Sequence, residues 1–264
     1  MLKKNIHSYR LSKPPWQSVL IAFWFAFFSV PTLAQDKFII AVGLAKPPYV
    51  IQADDSGFEI DLIRNVMANM GKSAEFVYTS FGHAPQMLAV DEIDAVMTMN
   101  TRVFSDTSKL SDVYIIYQNV AVSLKNKHLK IESIKDLANY SIASFQKADI
   151  ILGSEFENAV NQSPIFLQVA DQKRQPNLLI KERVDVVVMD KNIFSHFARE
   201  LKIDKQKNQF TFHNIFPKSH YRMAFKDSIN IPLFNKAFIE YSESKNYHAL
   251  LERYQLESIE PDEF

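Results

Sequence analysis

The sequence predicts an α/β protein of two lobes, each a sheet flanked by helices, with the chain crossing between them twice. Three observations predict it. Phe38–Val42 is an apolar run that leads through a proline turn into an amphipathic helix. Short β-α-β units then follow one another closely enough to imply parallel strands with right-handed crossovers. A second series of strands and helices runs from Tyr140 to Leu201, and a strand at Tyr221–Phe225 returns to the first.

In the first series, Phe38–Val42 is long enough for one buried strand. Lys46-Pro47-Pro48-Tyr49-Val50 follows, and its two prolines exclude a helix and favour an extended crossing. Asp54-Asp55-Ser56-Gly57 is a turn cluster whose glycine supplies any positive φ the turn needs. Phe58, Leu62, Val66 and Met70 recur at helical spacing with Ile63 and Met67 on the same face, and Gly71 stands where a C-terminal cap belongs. Glu75–Tyr78 reads as a strand, Ser80–Leu88 as the entry and body of a short helix, and Ile93–Thr98 as another buried strand. Ligands of such sheets bind beyond the carboxyl ends of the strands, where the strand order reverses. That rule singles out Gly43–Tyr49, Ser80–His83 and Thr98–Arg102.

Tyr117–Leu124 reads as a strand leaving the first lobe, and the polar, basic Lys125–Lys130 as a boundary. Ser133-Ile134-Lys135-Asp136 is a helix start, with Ser capping and Asp near the positive end. Strands at Tyr140–Ala143, Phe166–Val169 and Val184–Met189 alternate with helices over Asp149–Val160, Gln175–Lys181 and Lys191–Leu201. Phe210–Phe212 ends this series, Tyr221–Phe225 returns, and helices from Ile231 and Asn246 close the chain. The crossings fall near Ser123 and Pro217, which makes 35–123 and 217–264 one lobe and 124–216 the other. Such a body can hinge shut on a ligand.

Residues 1–34 read as a cleaved Sec-type signal peptide. Lys3, Lys4, Arg10 and Lys13 form a positive start, Trp16–Val30 an apolar run, and Thr32-Leu33-Ala34 a small-residue cleavage site before Gln35. The run is short against the ~20 apolar residues that span a bilayer, so a retained anchor is disfavoured. The chain has no cysteine, which excludes disulfides, Cys-ligated metal and a lipidated N-terminal Cys. A periplasmic protein that does not insert in the membrane fits these features. Residues 1–34 hold four of the 30 basic residues and no acid, so the remainder carries 26 against 30, a net charge of −4 with neutral His. That is no footprint for nucleic acid or anionic lipid. The five glycines form no phosphate-cradling loop, the seven histidines no metal spacing, and no nucleophile elbow is present. No cofactor, metal or catalytic set is therefore expected.

PPYV, then GFEIDL, then a helix ending in Gly resembles the opening of the family 3 bacterial solute-binding proteins, the periplasmic receptors of polar amino acid ABC transporters. SFGHAPQMLAVDEIDAVMT, LSDVY, IESIKDLANYSIA, ERVDVVVMDKNIFSHFA and YRMAFKDS resemble later stretches of that family, in the same order. The resemblance implies a two-lobed periplasmic-binding-protein fold of type II. It also implies a monomer that closes by hinge motion on an amino acid or related carboxylate or amine, for delivery to an inner-membrane ABC permease. Two other readings use the same scaffold: an enzyme similar to the cyclohexadienyl dehydratases, with Asp149 or Glu59 as its acid, and a sensory or accessory domain.

By that resemblance Phe81 falls on an aromatic wall, Thr98 and Thr101 on hydroxyls that donate to a ligand carboxylate, and Asp190 on the acceptor of its ammonium. Each has a structural alternative: a core Phe, helix caps, and a cap on the helix from Lys191. The chain also departs from the family. The Arg that grips the carboxylate bidentately has Val103-Phe104-Ser105-Asp106 in its place, with Arg102 just ahead as a substitute. Gly43 and Lys46 replace an aspartate and an aromatic before the proline turn, and Lys147-Ala148-Asp149 stands for Gly-Thr-Thr. The expected ligand-binding set is thus Lys46, Tyr49, Phe81, Thr98, Thr101, Arg102, Lys147, Asp149 and Asp190. The three bases suit a ligand with extra acid, and the two aspartates suit an amine or zwitterion.

Overall fold

A computed structural model describes residues 36–43, 45–80, 83–203 and 209–256. The predicted signal peptide and Phe81 lie outside the described residues. The first sheet takes β1 (Asp36–Gly43), β2 (Lys72–Thr79), β3 (Ala95–Met99), β4 (Leu110–Tyr117) and, from the far end of the chain, β10 (Ser219–Phe225), in the order β2-β1-β3-β10-β4. β1 runs parallel to β2 and β3, and β10 antiparallel to β3 and β4. The helix predicted from Phe58 is α1 (Phe58–Asn69), which buries Phe58, Ile60, Leu62, Ile63, Val66 and Met67. Each such side chain contributes about 1.5–3 kcal/mol on leaving water. Gly71 has φ 74°, the left-handed conformation its position predicts. The short α2 (Ala84–Met87) packs on β1 and β3.

The second sheet takes β5 (Asn119–Leu124), β6 (Ile142–Phe145), β7 (Phe166–Val169), β8 (Val186–Asp190) and β9 (Phe210–His213), in the order β7-β6-β8-β5-β9. β6 lies parallel to β7 and β8, while β5 lies antiparallel to β8 and β9. Its helices are α3 (Ala148–Ile151), α4 (Ser154–Gln162), α5 (Arg174–Ile180) and α6 (Lys191–Glu200), and α7 (Asn230–Ser242) and α8 (Lys245–Tyr254) close the chain. Ser133 and Asp136 form the expected capping box, although the helix they start is 3-10 over Ile134–Asn139.

Two predicted elements are divided. The strand expected over Tyr117–Leu124 breaks at Gln118, with Tyr117 ending β4 in the first sheet and Asn119 opening β5 in the second. The helix expected over Asp149–Val160 breaks at Gly153, whose φ of 94° interrupts it. β4 itself, Leu110–Tyr117, has no counterpart among the predicted strands. The chain passes between sheets at Gln118, five residues before the crossing expected near Ser123, and again between His213 and Ser219, the segment that holds Pro217. Gln118 ties the two passages together, its Nε2 donating to the carbonyls of Asn119 at 2.9 Å and Phe216 at 3.0 Å. One buried apolar cluster runs from β1 and α1 of the first sheet to β5, β8 and α6 of the second, and a separate cluster covers the other face of each sheet.

Candidate functional site

The site begins at the proline turn. A Lys46–Val50 bridge closes the turn, whose carbonyls then receive the first N–H groups of α1: Phe58 N donates to Pro48 O and Glu59 N to Tyr49 O, both at 2.9 Å. These bonds fill donors that a helix start leaves without partners. Gly57 makes the approach feasible, since a Cβ there would lie 2.3 Å from the Tyr49 carbonyl oxygen. The consequence is that Lys46, Tyr49 and Glu59 are held together at one end of β1 and β3.

Glu59 is fully buried and its four acceptor positions are filled. Oε1 accepts from the hydroxyls of Thr98, at 2.6 Å, and Tyr114; Oε2 accepts from Tyr117 at 2.8 Å and from Lys46 Nζ at 3.0 Å. Lys46 Nζ also donates to Thr98 Oγ1 at 2.9 Å and lies 5.0 Å from the Tyr117 ring centroid. Burial lowers the Lys46 pKa, and Glu59 opposes that shift. Tyr114 and Tyr117 are pushed well above the ordinary tyrosine value by burial and then by Glu59, so both remain donors. Thr98 sits at φ 62°, rare for a β-branched residue, with its N–H given to Tyr114 Oη at 2.8 Å. Strain of this kind amounts to ~1–3 kcal/mol and persists where surroundings over-determine it. Here three partners, Glu59, Lys46 and Tyr114, do so.

Asp190 ends β8 and caps α6, with Oδ1 accepting from the N–H groups of Asn192 at 2.9 Å and Ile193 at 3.1 Å. Oδ2 accepts from Gln118 N at 3.0 Å. The fourth donor comes from the other sheet: the Tyr49 hydroxyl bonds the Asp190 carboxylate and in turn accepts from Asn192 Nδ2 at 2.9 Å. Tyr49 is stacked on Tyr117 with ring centroids 4.2 Å apart, which fixes its reach. Burial raises the Asp190 pKa to about 6 despite those backbone donors.

Between the sheets lies a cavity of about 80 Å³, lined by Lys46, Thr98, Tyr117 and Tyr221 from the first side and Asn119, Gln172 and Asp190 from the second. At ~10–15 Å³ per water this is room for about half a dozen. Among the described residues no cluster of three or more His, Cys, Asp or Glu stands ready for a metal.

Of the expected set, Lys46, Thr98 and Asp190 line this cavity, and Tyr49 joins them from behind Tyr117. Arg102 does not line it. Its Nη1 donates to the Ile151 carbonyl of the second side at 2.7 Å, and its guanidinium lies 3.4 Å from where a Cβ on Gly153 would be. Thr101 is an exposed turn residue. Lys147 is exposed, at φ 59°, and opens α3 with its N–H on Gln168 Oε1 at 2.7 Å; Asp149 Oδ1 is buried without a partner in the same helix. Sequence reasoning did not single out Tyr117, Tyr221, Asn119 or Gln172. Glu59 was considered only as an acid, and its one sequence signal was a charge adjoining an apolar helix face.

The profile of the bacterial extracellular solute-binding proteins, family 3, matches residues 38–257. No curated protein matches the chain by sequence. Among solved structures, a mutant of ArgBP from T. maritima superposes with a TM-score of 0.66 at 18% identity, covering 83% of this chain and 95% of that one. The ancestral amino acid-binding protein AncCDT-1, a precursor of cyclohexadienyl dehydratase, gives 0.66 at 17% identity, with 83% and 95% covered. A histidine kinase sensor domain with similarity to periplasmic binding proteins gives 0.70 at 14% identity, with 85% and 99% covered. At these identities the likeness is one of fold.

Proposed function

Since the chain belongs to the bacterial extracellular solute-binding proteins, family 3, we propose that it is a periplasmic receptor that closes on a small polar ligand, an amino acid or a related carboxylate or amine, and passes it to an ABC-type importer. The single observation that carries this reading is the cavity, where a buried cation from the first sheet, Lys46, and a buried anion from the second, Asp190, share one wall-to-wall space. Opposite charges on opposite lobes suit a zwitterion held across a hinge. Closure is then a population shift towards the form in which both halves touch the ligand. Gln118 and the 214–218 segment are the hinge strands, by their position between the sheets. Lys46, Tyr49, Thr98 and Asp190 form the core of the site, with Asp190 supplying the charge that attracts an ammonium.

Binding without turnover is favoured over an enzyme on the same scaffold. A general acid or base needs a proton position open to its substrate. Both carboxylates at this site, Glu59 and Asp190, already have every acceptor position taken by the chain's own donors.

A thermal-shift screen of the purified protein against amino acids, dicarboxylates, polyamines and small peptides tests the reading. A ligand at 100 times its Kd adds ~2.7 kcal/mol of stability. A saturable rise in melting temperature, with the ligand recovered unchanged, is expected. Silence from the whole panel, or chemical conversion of a hit, sinks the reading.

A further inference from the structure

The free hydrogen-bonding positions on the cavity wall narrow the ligand further. Glu59 accepts four bonds from the chain, and Asp190 accepts three backbone N–H groups and the Tyr49 hydroxyl. Neither carboxylate has a position left over. Thr98 donates to Glu59 and accepts from Lys46, and Tyr117 donates to Glu59. Two cavity-lining groups differ. The Lys46 ammonium carries three N–H donors and uses two of them, on Thr98 and Glu59. Gln172 Oε1 is buried and has no hydrogen-bond partner. A buried carbonyl left unpaired is unfavourable by more than an ordinary hydrogen bond gains, and a native structure keeps one where something else completes it.

We propose that Lys46 and Gln172 are the two direct grips of this site, and that the ligand is a small α-amino acid about the size of alanine. Its carboxylate takes the remaining N–H of Lys46, and its ammonium donates to Gln172 Oε1. This rests on the solute-binding reading above. The cavity of about 80 Å³ sets the size. Asp190 contributes its charge but no free acceptor, so it orients the ammonium while Gln172 receives the bond. Arg102, engaged on the Ile151 carbonyl, lies outside the grip. Gln172 is then a specificity-determining residue on the loop after β7, and Lys46 carries the carboxylate from the proline turn.

The test is calorimetric titration of the purified protein with L-alanine and with L-alaninamide, which keeps the amine and lacks the carboxylate. L-Alanine binds, and L-alaninamide binds at least tenfold more weakly because Lys46 loses a charged partner. Gln172→Leu, of similar shape, weakens L-alanine about tenfold. Gln172→Glu, which keeps an acceptor and adds charge, binds it at least as well as the parent protein and guards against a folding defect in the first variant. Equal affinity for L-alanine in the parent protein and in Gln172→Leu overturns the proposal, as does a preference for L-alaninamide. No binding of either probe, with a hit among larger ligands in the thermal screen, overturns this inference and leaves the solute-binding reading intact. Silence in both experiments removes both.

Discussion

On the first-sheet wall of the cavity, Glu59 collects donors from Lys46, Thr98, Tyr114 and Tyr117, and its acceptor positions are all filled. On the second-sheet wall, Asp190 accepts from the backbone N–H groups of Gln118, Asn192 and Ile193, while Gln172 Oε1 has no partner. The first wall thus holds its charges in a bonded cluster that leaves one donor, on Lys46, and the second leaves one acceptor, on Gln172. Side chains already bonded in place need no reorganisation on binding, so their contribution to affinity is not spent on ordering them. An unpaired buried carbonyl gains most from a donor that reaches it.

The largest expected effect comes from breaking the bonded cluster of the first wall. Glu59→Ala leaves the Lys46 ammonium buried among tyrosines without its contacting carboxylate, and losing one partner of a buried pair is destabilising by ~3–5 kcal/mol. For a chain of this length that lowers the melting temperature by roughly 10 °C. Replacing both partners, Lys46→Met with Glu59→Leu, should recover only the ion-pair share of the loss, because the hydroxyls of Thr98, Tyr114 and Tyr117 still lose their acceptor. If Glu59→Ala melts within a degree or two of the parent protein, the Glu59 cluster does not hold the first wall together.

A smaller effect separates Asp190, the charged group of the second wall, from Glu59. Burial holds the Asp190 carboxyl at about 6, above the ordinary 3.8. The folded state therefore binds that proton more tightly than the unfolded chain does. The group favours folding most below about pH 4, progressively less as pH rises to about 6, and is constant above that. The gap between 3.8 and about 6 corresponds to about 3 kcal/mol. Urea denaturation of the parent protein and of Asp190→Ala at pH 4, 5, 6 and 7 isolates it, because the other carboxylates cancel in the difference. The stability advantage of the parent should shrink by up to about 3 kcal/mol between pH 4 and 7. A difference that stays flat or grows with pH contradicts the assignment. An ammonium ligand would lower the same pKa, so its affinity should fall below about pH 6.

The two walls also differed in how far the sequence announced them. Periodicity identified α1 from Phe58, Leu62 and Val66, and Gly71 marked its end, because those signals are local. Lys46, Thr98 and Asp190 were reachable from the rule that ligands sit at strand ends, aided by the family resemblance. Glu59 was not, since its burial depends on Tyr114 and Tyr117, 55 and 58 residues away in sequence. No window of local pattern reports such pairing. Nor does it report that Gln118 breaks the apolar run Tyr117–Leu124, because both halves are β-rich and only the sheet order separates them. Gly153 was the one break with a local sign, an isolated glycine inside a helical pattern.

The smallest expected effect concerns the loop that opens the second wall. Lys147 occupies the place where the resemblance expects the Gly of Gly-Thr-Thr, and it holds φ 59°, a left-handed backbone that a lysine adopts at a cost of roughly 1 kcal/mol. Its N–H still closes on Gln168 Oε1 at 2.7 Å, and α3 still begins with the next residue. Lys147 thus holds a backbone conformation that a glycine adopts freely. Lys147→Gly should relieve the strain but loosen the unfolded chain, for a net gain of about 0.5 kcal/mol or less. Its side chain is exposed, so affinity for an amino acid ligand should change by less than twofold if Lys46 supplies the carboxylate grip. A loss of binding on Lys147→Gly, with stability intact, would instead move that grip to the second wall. The first wall would then be a scaffold alone.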